Sequence, residues 1–254
     1  MIQVSEKNPR SCILGYPVDL ISMEDALKFA ESFILAGKSG QVVTINPEII
    51  MQAIKNQAFS DVINQAELII PDGFGIILTL KKLGINNIVQ LPGIEFSQGL
   101  IGKCAQKGYS VGFLGASKDV LNAAVKEFKS KYPDLNIVFC HDGYFGRDEE
   151  ERIISELKYS RPNVLFVGLG VPSQELWIAE HKKILNSTLM VGVGGSFDVW
   201  SKKIKRAPAL FRKFGLEWLY RLLNQPSRFS RMFPTLPLFF IKVMFTNSNT
   251  RKEY

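Results

Sequence analysis

Residues 163–175 read Asn163-Val-Leu-Phe-Val-Gly-Leu-Gly-Val-Pro-Ser-Gln-Glu175: an apolar run, a glycine-bearing turn, then the polar start of a helix. A strand without polar alternation is buried on both faces, and one that turns through glycine into a helix is half of a βαβ unit. The unit recurs on both sides. Ser110-Val-Gly-Phe-Leu114 passes through Gly115-Ala-Ser117 into a helix from about Asp119 to Tyr132. Asn136-Ile-Val-Phe-Cys140 passes through His141-Asp-Gly-Tyr-Phe145 to an acidic helix start, Asp148-Glu-Glu-Glu151, favourable against the helix dipole. Farther upstream, Gln41-Val-Val-Thr-Ile45 precedes Asn46-Pro47, with proline at the first turn of a helix, and Glu67-Leu-Ile-Ile70 is broken by Pro71-Asp-Gly73. Downstream, Leu189-Met-Val-Gly-Val193 runs on through Gly194-Gly-Ser196. The alternation predicts an α/β fold, a Rossmann-like parallel sheet covered by helices, with ligands at the carboxyl ends of its strands.

After about Lys203 the pattern changes, which divides the chain into a core over 1–203 and a basic amphipathic appendage over 204–254. Phe211 to Leu223 has a helical pattern ended or kinked at Gln225-Pro226, and Phe229 to Phe245 is an apolar segment interrupted by Pro234 and Pro237. The net charge of +7 is concentrated here: Lys202, Lys203, Lys205, Arg206, Arg212 and Lys213 have no acid between them. Arg221, Arg228, Arg231 and Lys242 follow, opposed only by Glu217. Such an excess suits a polyanion, either nucleic acid or anionic lipid and pyrophosphate. The basic residues are interleaved with Phe229, Phe233, Phe239, Phe240 and Phe245, the layout of an interfacial membrane segment. The same residues would also serve a helix packed on the core with its charges in water.

The first ten residues lack the basic-then-apolar layout of a signal peptide, and no apolar stretch reaches the roughly 20 residues that span a bilayer. Three scattered cysteines and two histidines disfavour both a disulfide framework and a Cys/His metal site, so the expectation is free thiols in a reducing cytoplasm.

Asp72, at a strand end and followed by Gly73, could act as a general base or could cap the next helix. The turns holding Gly115 and Gly168-Leu-Gly170 suit phosphate bound by backbone N–H groups, or are purely conformational; Gly192-Val-Gly-Gly195 admits a nucleotide or allows close packing. No G-x-S-x-G elbow or Walker motif occurs, and no Asp-x-Asp is present to hold a divalent ion on a diphosphate.

Taken in order, Thr44-Ile-Asn-Pro47, Pro71-Asp-Gly73, Pro92-Gly93, Asp142-Gly-Tyr-Phe145, Gly168-Leu-Gly-Val-Pro-Ser-Gln-Glu175, Gly192-Val-Gly-Gly195, Phe197-Asp198, Lys205-Arg-Ala-Pro208 and Gly215-Leu-Glu-Trp-Leu-Tyr-Arg-Leu222 strongly resemble the WecG/TagA/CpsF family of glycosyltransferases, over about residues 12 to 240. The resemblance implies an inverting, metal-independent enzyme without a cofactor. It would move N-acetylmannosamine or its uronic acid from UDP to undecaprenyl-diphosphate-linked N-acetylglucosamine, for polysaccharide or teichoic acid synthesis. It further implies a protein peripheral at the inner, cytoplasmic face of the membrane. Independently of the resemblance, apolar patches beside the appendage could favour a dimer that hides them off the membrane. Carried over residue by residue, it makes Asp72 the base with Thr44 and Asn46 beside it and Gln174 as the active-site glutamine. Gly73, Gly115, Asp142, Tyr144, Gly168, Gly170, Glu175 and Gly194 fall around the UDP-sugar. Arg206, Arg221, Arg228 and Arg231 fall at the lipid diphosphate and membrane. Two places depart from the family pattern: Gln90 stands where many members carry arginine, and Lys202 where glycine is usual.

Two other readings compete. A nucleotide-binding oxidoreductase would need a third glycine where Ser173 stands and an acid at the next strand end. A basic nucleic-acid-binding protein would need a stacking platform or a recognition helix rather than basic residues set among Phe and Leu.

Overall fold

The computed structural model describes residues 8–208, 210–211, 217–224 and 234–245. Its centre is a six-stranded, wholly parallel sheet. Its strands are β3 (Gly40–Ile45), β4 (Leu68–Pro71), β5 (Val111–Gly115), β6 (Ile137–His141), β7 (Val164–Gly168) and β8 (Leu189–Gly192), in spatial order β4-β3-β8-β7-β5-β6. Residues alternate between two buried faces. Val42, Ile70, Phe113, Phe166 and Val191 face α1 (Met23–Leu35), α5 (Gly93–Lys107), α6 (Lys118–Lys131) and α9 (Ser196–Trp200). Val43, Ile69, Leu165 and Met190 face the other side, where α2 (Pro47–Ala53), α3 (Gln57–Asn64), α4 (Phe74–Lys82), α7 (Arg147–Ser160) and α8 (Ser173–His181) cover the sheet. A sheet covered twice needs apolar residues at every strand position, which is why the strands read as unbroken apolar runs.

A hairpin not read from the sequence precedes this sheet: β1 (Arg10–Ile13) and β2 (Tyr16–Asp19) pair antiparallel across Leu14-Gly15, both at positive φ. It meets the edge strand β4 through side chains. Asp19, 1% exposed, accepts the Ile69 N–H at 2.6 Å and the Arg10 Nε at 2.7 Å, and Arg10 donates to the carbonyls of Ala66 and Glu67. An otherwise open strand edge is thereby capped.

The remaining described elements are α10 (Glu217–Asn224) and α11 (Thr235–Phe245). The sequence reading has Pro237 interrupt this segment; instead the helix begins just after Pro234 and holds Pro237 in its first turn, where a missing N–H costs no hydrogen bond. Helix α11 packs on α2, with Phe239 fully buried and Lys82 Nζ donating to the Val243 carbonyl at 3.0 Å. Lys202 has φ +59°, the left-handed region that glycine adopts freely, and its ammonium pairs with Glu127.

Candidate active site

In a parallel sheet all strands end on one edge, so the turns singled out in the sequence converge there. The segment after β3 starts α2: Asn46 Oδ1 accepts the Ile49 N–H at 3.0 Å and Pro47 is the first helical residue. Asp72 follows the last residue of β4 and continues the ladder, its N–H donating to the Ile45 carbonyl at 2.8 Å. It is not the cap of α4. That helix starts from Gly73, at φ +90°, without a side-chain capping bond. The Asp72 carboxylate instead accepts, at Oδ2, the N–H of Gly93, the first residue of α5, at 3.2 Å.

Thr44 completes this group. A Cβ on Gly93 would lie 2.7 Å from Thr44 Cγ2 and 3.1 Å from its Oγ1, so only glycine lets the start of α5 come this close. A hydroxyl, a carboxylate and the N-terminal end of a 15-residue helix thus share one half-buried corner. The first turn of α5 also carries Glu95, whose Oε1 accepts from Arg206 Nη2 at 2.7 Å. Arg206 Nε is buried without a partner among the described residues. Sequence reasoning missed Glu95; its signal was an acid in a first helical turn beside Pro92-Gly93.

The second group lies across the edge. Strand β5 continues outward to β6, whereas β7 continues inward to β8, so the ends of β5 and β7 flank the point where connections diverge, the usual ligand crevice of such sheets. The two ends are in contact: a Cβ on Gly115, at φ +134°, would run into the Gly168 carbonyl, which accepts the Ala116 N–H at 3.2 Å. Gly143 N–H donates to the Ala116 carbonyl at 2.8 Å, and Asp142 Oδ1 accepts the Tyr144 N–H at 3.0 Å, leaving the Tyr144 ring exposed. Gly170 is exposed at the rim.

Gln174 and Glu175 open α8, and both are 2% exposed. Gln174 Oε1 accepts the Gly194 N–H at 2.9 Å, and its Nε2 donates to Glu175 Oε1 at 2.6 Å. Burial pushes the Glu175 carboxyl up to about 7, against the Gln174 hydrogen bond that lowers it. Burial also pushes the thiol of Cys104 up to about 12, which removes it as a nucleophile near neutral pH.

The raised Glu175 value has a definite sign for stability. Between 4.5 and about 7 the folded protein binds a proton that the unfolded chain releases, so stability falls as pH rises through that window. Relative to Glu175→Gln, wild type is expected to lose about 3 kcal/mol between pH 4.5 and pH 7 and little beyond. Urea denaturation of both proteins at pH 5 and pH 8 checks this.

The structure therefore brings Thr44, Asp72 and Gly93 together, and separately Gly115, Gly168, Gln174 and Gly194. Asn46 has its Oδ1 engaged in the α2 cap. Arg221 lies on α10, and Arg228 and Arg231 lie outside the described residues.

Comparison with known proteins identifies the family. The model of the family described as "Glycosyl transferase WecG/TagA/CpsF family" matches residues 11–253. A protein of Bacillus spizizenii named N-acetylglucosaminyldiphosphoundecaprenol N-acetyl-beta-D-mannosaminyltransferase is 36% identical over 79% of this chain and 77% of its own length. A protein of the same name from Staphylococcus aureus is 34% identical over 91% of each chain. With the match running from the hairpin to beyond α11, the chain belongs to the WecG/TagA/CpsF family of glycosyl transferases.

Proposed function

We propose that this glycosyl transferase moves an N-acetylmannosamine-type sugar from a UDP-sugar to N-acetylglucosamine on undecaprenyl diphosphate, with inversion and without a metal ion. The observation that carries the reading is the Asp72 carboxylate, fixed by the Gly93 N–H beside Thr44 at the open edge of the sheet. A carboxylate so held can take the proton of an acceptor hydroxyl as that oxygen bonds to the anomeric carbon. The bond from the anomeric carbon to the UDP oxygen breaks, its electron pair leaves with UDP, and one in-line displacement inverts the centre. Backbone N–H groups near Gly115 and Gly170, with the appendage arginines Arg221, Arg228 and Arg231, would stabilise the diphosphate charge that develops. Arg206, paired with Glu95 in the first turn of α5, would meet the acceptor's diphosphate.

The acceptor named for the relatives is membrane-linked, and the proposal extends to a peripheral position at the inner face. No helix among the described residues is long and apolar enough to cross a membrane. Helix α11 exposes Phe240, Ile241, Met244 and Phe245, and Phe240 lies against Gly75 of α4, which itself exposes Phe74 and Leu78. An apolar surface of this kind suits contact with a bilayer.

The test is UDP release from UDP-N-acetylmannosamine with a soluble lipid-diphosphate N-acetylglucosamine analogue, with chelator present. Release is expected only with acceptor and undiminished by chelator; if neither this donor nor the uronic acid supports release, the donor class is wrong. Cosedimentation with anionic vesicles, weakening as salt is raised, checks the membrane contact.

A further inference from the structure

We infer that Glu175 is a positioning residue: by accepting from the Gln174 amide it fixes which way that amide faces, and so holds the β8 turn in the shape that binds the nucleotide diphosphate. The inference rests on the reading of the β5–β8 turns as the donor pocket. It concerns a residue that does not reach that pocket itself, since both Gln174 and Glu175 are 2% exposed.

A glutamine side chain has one end that only accepts and one that only donates. Here the accepting end takes the Gly194 N–H at 2.9 Å and the donating end goes to Glu175 Oε1 at 2.6 Å. Turning the amide over would set its NH₂ against the Gly194 N–H and its oxygen against the carboxyl oxygen, losing both bonds. Glu175 thus decides the orientation, and Gly194, at φ +51° in the turn after β8, is held as a consequence. The arrangement is tightly enclosed: a Cβ on Gly192 would lie 2.9 Å from Gln174 Nε2 and 3.3 Å from Glu175 Oε1. From β3, Gln41 Nε2 donates to the Glu175 carbonyl at 3.1 Å and anchors the start of α8. The other carboxyl oxygen, Oε2, is buried without a partner among the described residues.

An ionised Glu175 under a diphosphate would repel it, and burial already pushes this carboxyl up to about 7. The groups against the carboxyl are the neutral Gln174 amide and Gly192 of β8, while Gln41 of β3 meets the Glu175 backbone carbonyl. On the surrounding elements the Lys182 ammonium pairs with Glu67, and His181 Nε2 lies 3.1 Å from Glu150 Oε1. Binding of the anionic nucleotide is therefore coupled to a proton on Glu175.

The experiment compares wild type, Glu175→Gln and Glu175→Met in two measurements. Without ligand, amide hydrogen exchange over residues 192–196 should be about tenfold faster in Glu175→Met, where Gln174 Nε2 has lost its acceptor, and near wild type in Glu175→Gln, whose side-chain oxygen still accepts. In UDP titrations followed by calorimetry, Glu175→Met should bind about tenfold more weakly and Glu175→Gln within about threefold of wild type at pH 6. Between pH 6 and pH 8 the ratio of wild-type to Glu175→Gln affinity should fall several-fold, a comparison in which the ionisation of UDP itself cancels. Unchanged exchange in Glu175→Met, or Glu175→Gln as defective as Glu175→Met, overturns the inference. Failure of wild type to bind UDP would remove the donor reading instead, and the exchange measurement would still decide the role of Glu175 in the turn. Should Glu175→Met not fold, Gln174→Met removes the same acceptor from Gly194 and must give the same exchange defect.

Discussion

Asp72→Asn is expected to cut turnover by about 10²- to 10⁴-fold, the range a positioned general base contributes. Asparagine has the same shape and keeps an oxygen for the Gly93 N–H, so the corner formed by β3, β4 and α5 should stay intact. What it lacks is the ability to take up the acceptor's proton. The loss should therefore fall on kcat, with KM for the UDP-sugar changed little, because the donor turns after β5, β7 and β8 do not involve this side chain. The thermal midpoint should stay within a few degrees of wild type. Full turnover in Asp72→Asn would exclude Asp72 as the base. A fall in kcat accompanied by unfolding would instead show that the carboxylate matters for holding α5. Side by side, kinetics and melting separate these outcomes.

Asp19→Ala should destabilise the protein by about 3–5 kcal/mol, the cost of removing one partner from a buried ion pair. The carboxylate is 1% exposed and satisfies both the Arg10 guanidinium and the Ile69 N–H. Burial pushes its carboxyl up, and the Arg10 and Ile69 hydrogen bonds only partly oppose that rise, so the ion pair holds the hairpin at a desolvation cost. Its deletion leaves Arg10 facing the edge of β4 without a counter-charge and an edge N–H without an acceptor. Urea denaturation measures the effect. The double replacement Arg10→Met with Asp19→Leu should recover much of the loss, since a well-packed apolar pair avoids both penalties. A loss below about 1 kcal/mol in Asp19→Ala would show that the hairpin is held by its apolar contacts alone.

The strands and their order along the chain were legible because each signal is local. A strand covered on both faces must be apolar at every position, and a turn into a helix needs glycine or a capping residue within a few positions; segments such as Gln41–Ile45 and Val164–Gly168 carry both signs. The location of the site followed from the same pattern, since parallel strands leave all their carboxyl ends on one edge. The hairpin at 10–19 escaped because four-residue strands are too short for periodicity to show. Pro237 misled because a proline is tolerated or disruptive according to where the helix starts.

What the tertiary structure alone decided was the partner of each polar group. Asp72 before Gly73 is locally indistinguishable from a helix cap; the approach of Gly93, 21 residues later, makes it a fixed carboxylate at an open edge. Arg206 meets Glu95 across 111 residues and Asp19 meets Ile69 across 50. The resemblance sets Glu175 around the UDP-sugar, but that β3 and β8 enclose it is visible only in the packed chain. Propensity and periodicity are set by neighbours in sequence, so the amino-acid order determines them. Desolvation and hydrogen-bond partnership depend on what lies within a few ångströms in space, and only the packed chain brings those groups together.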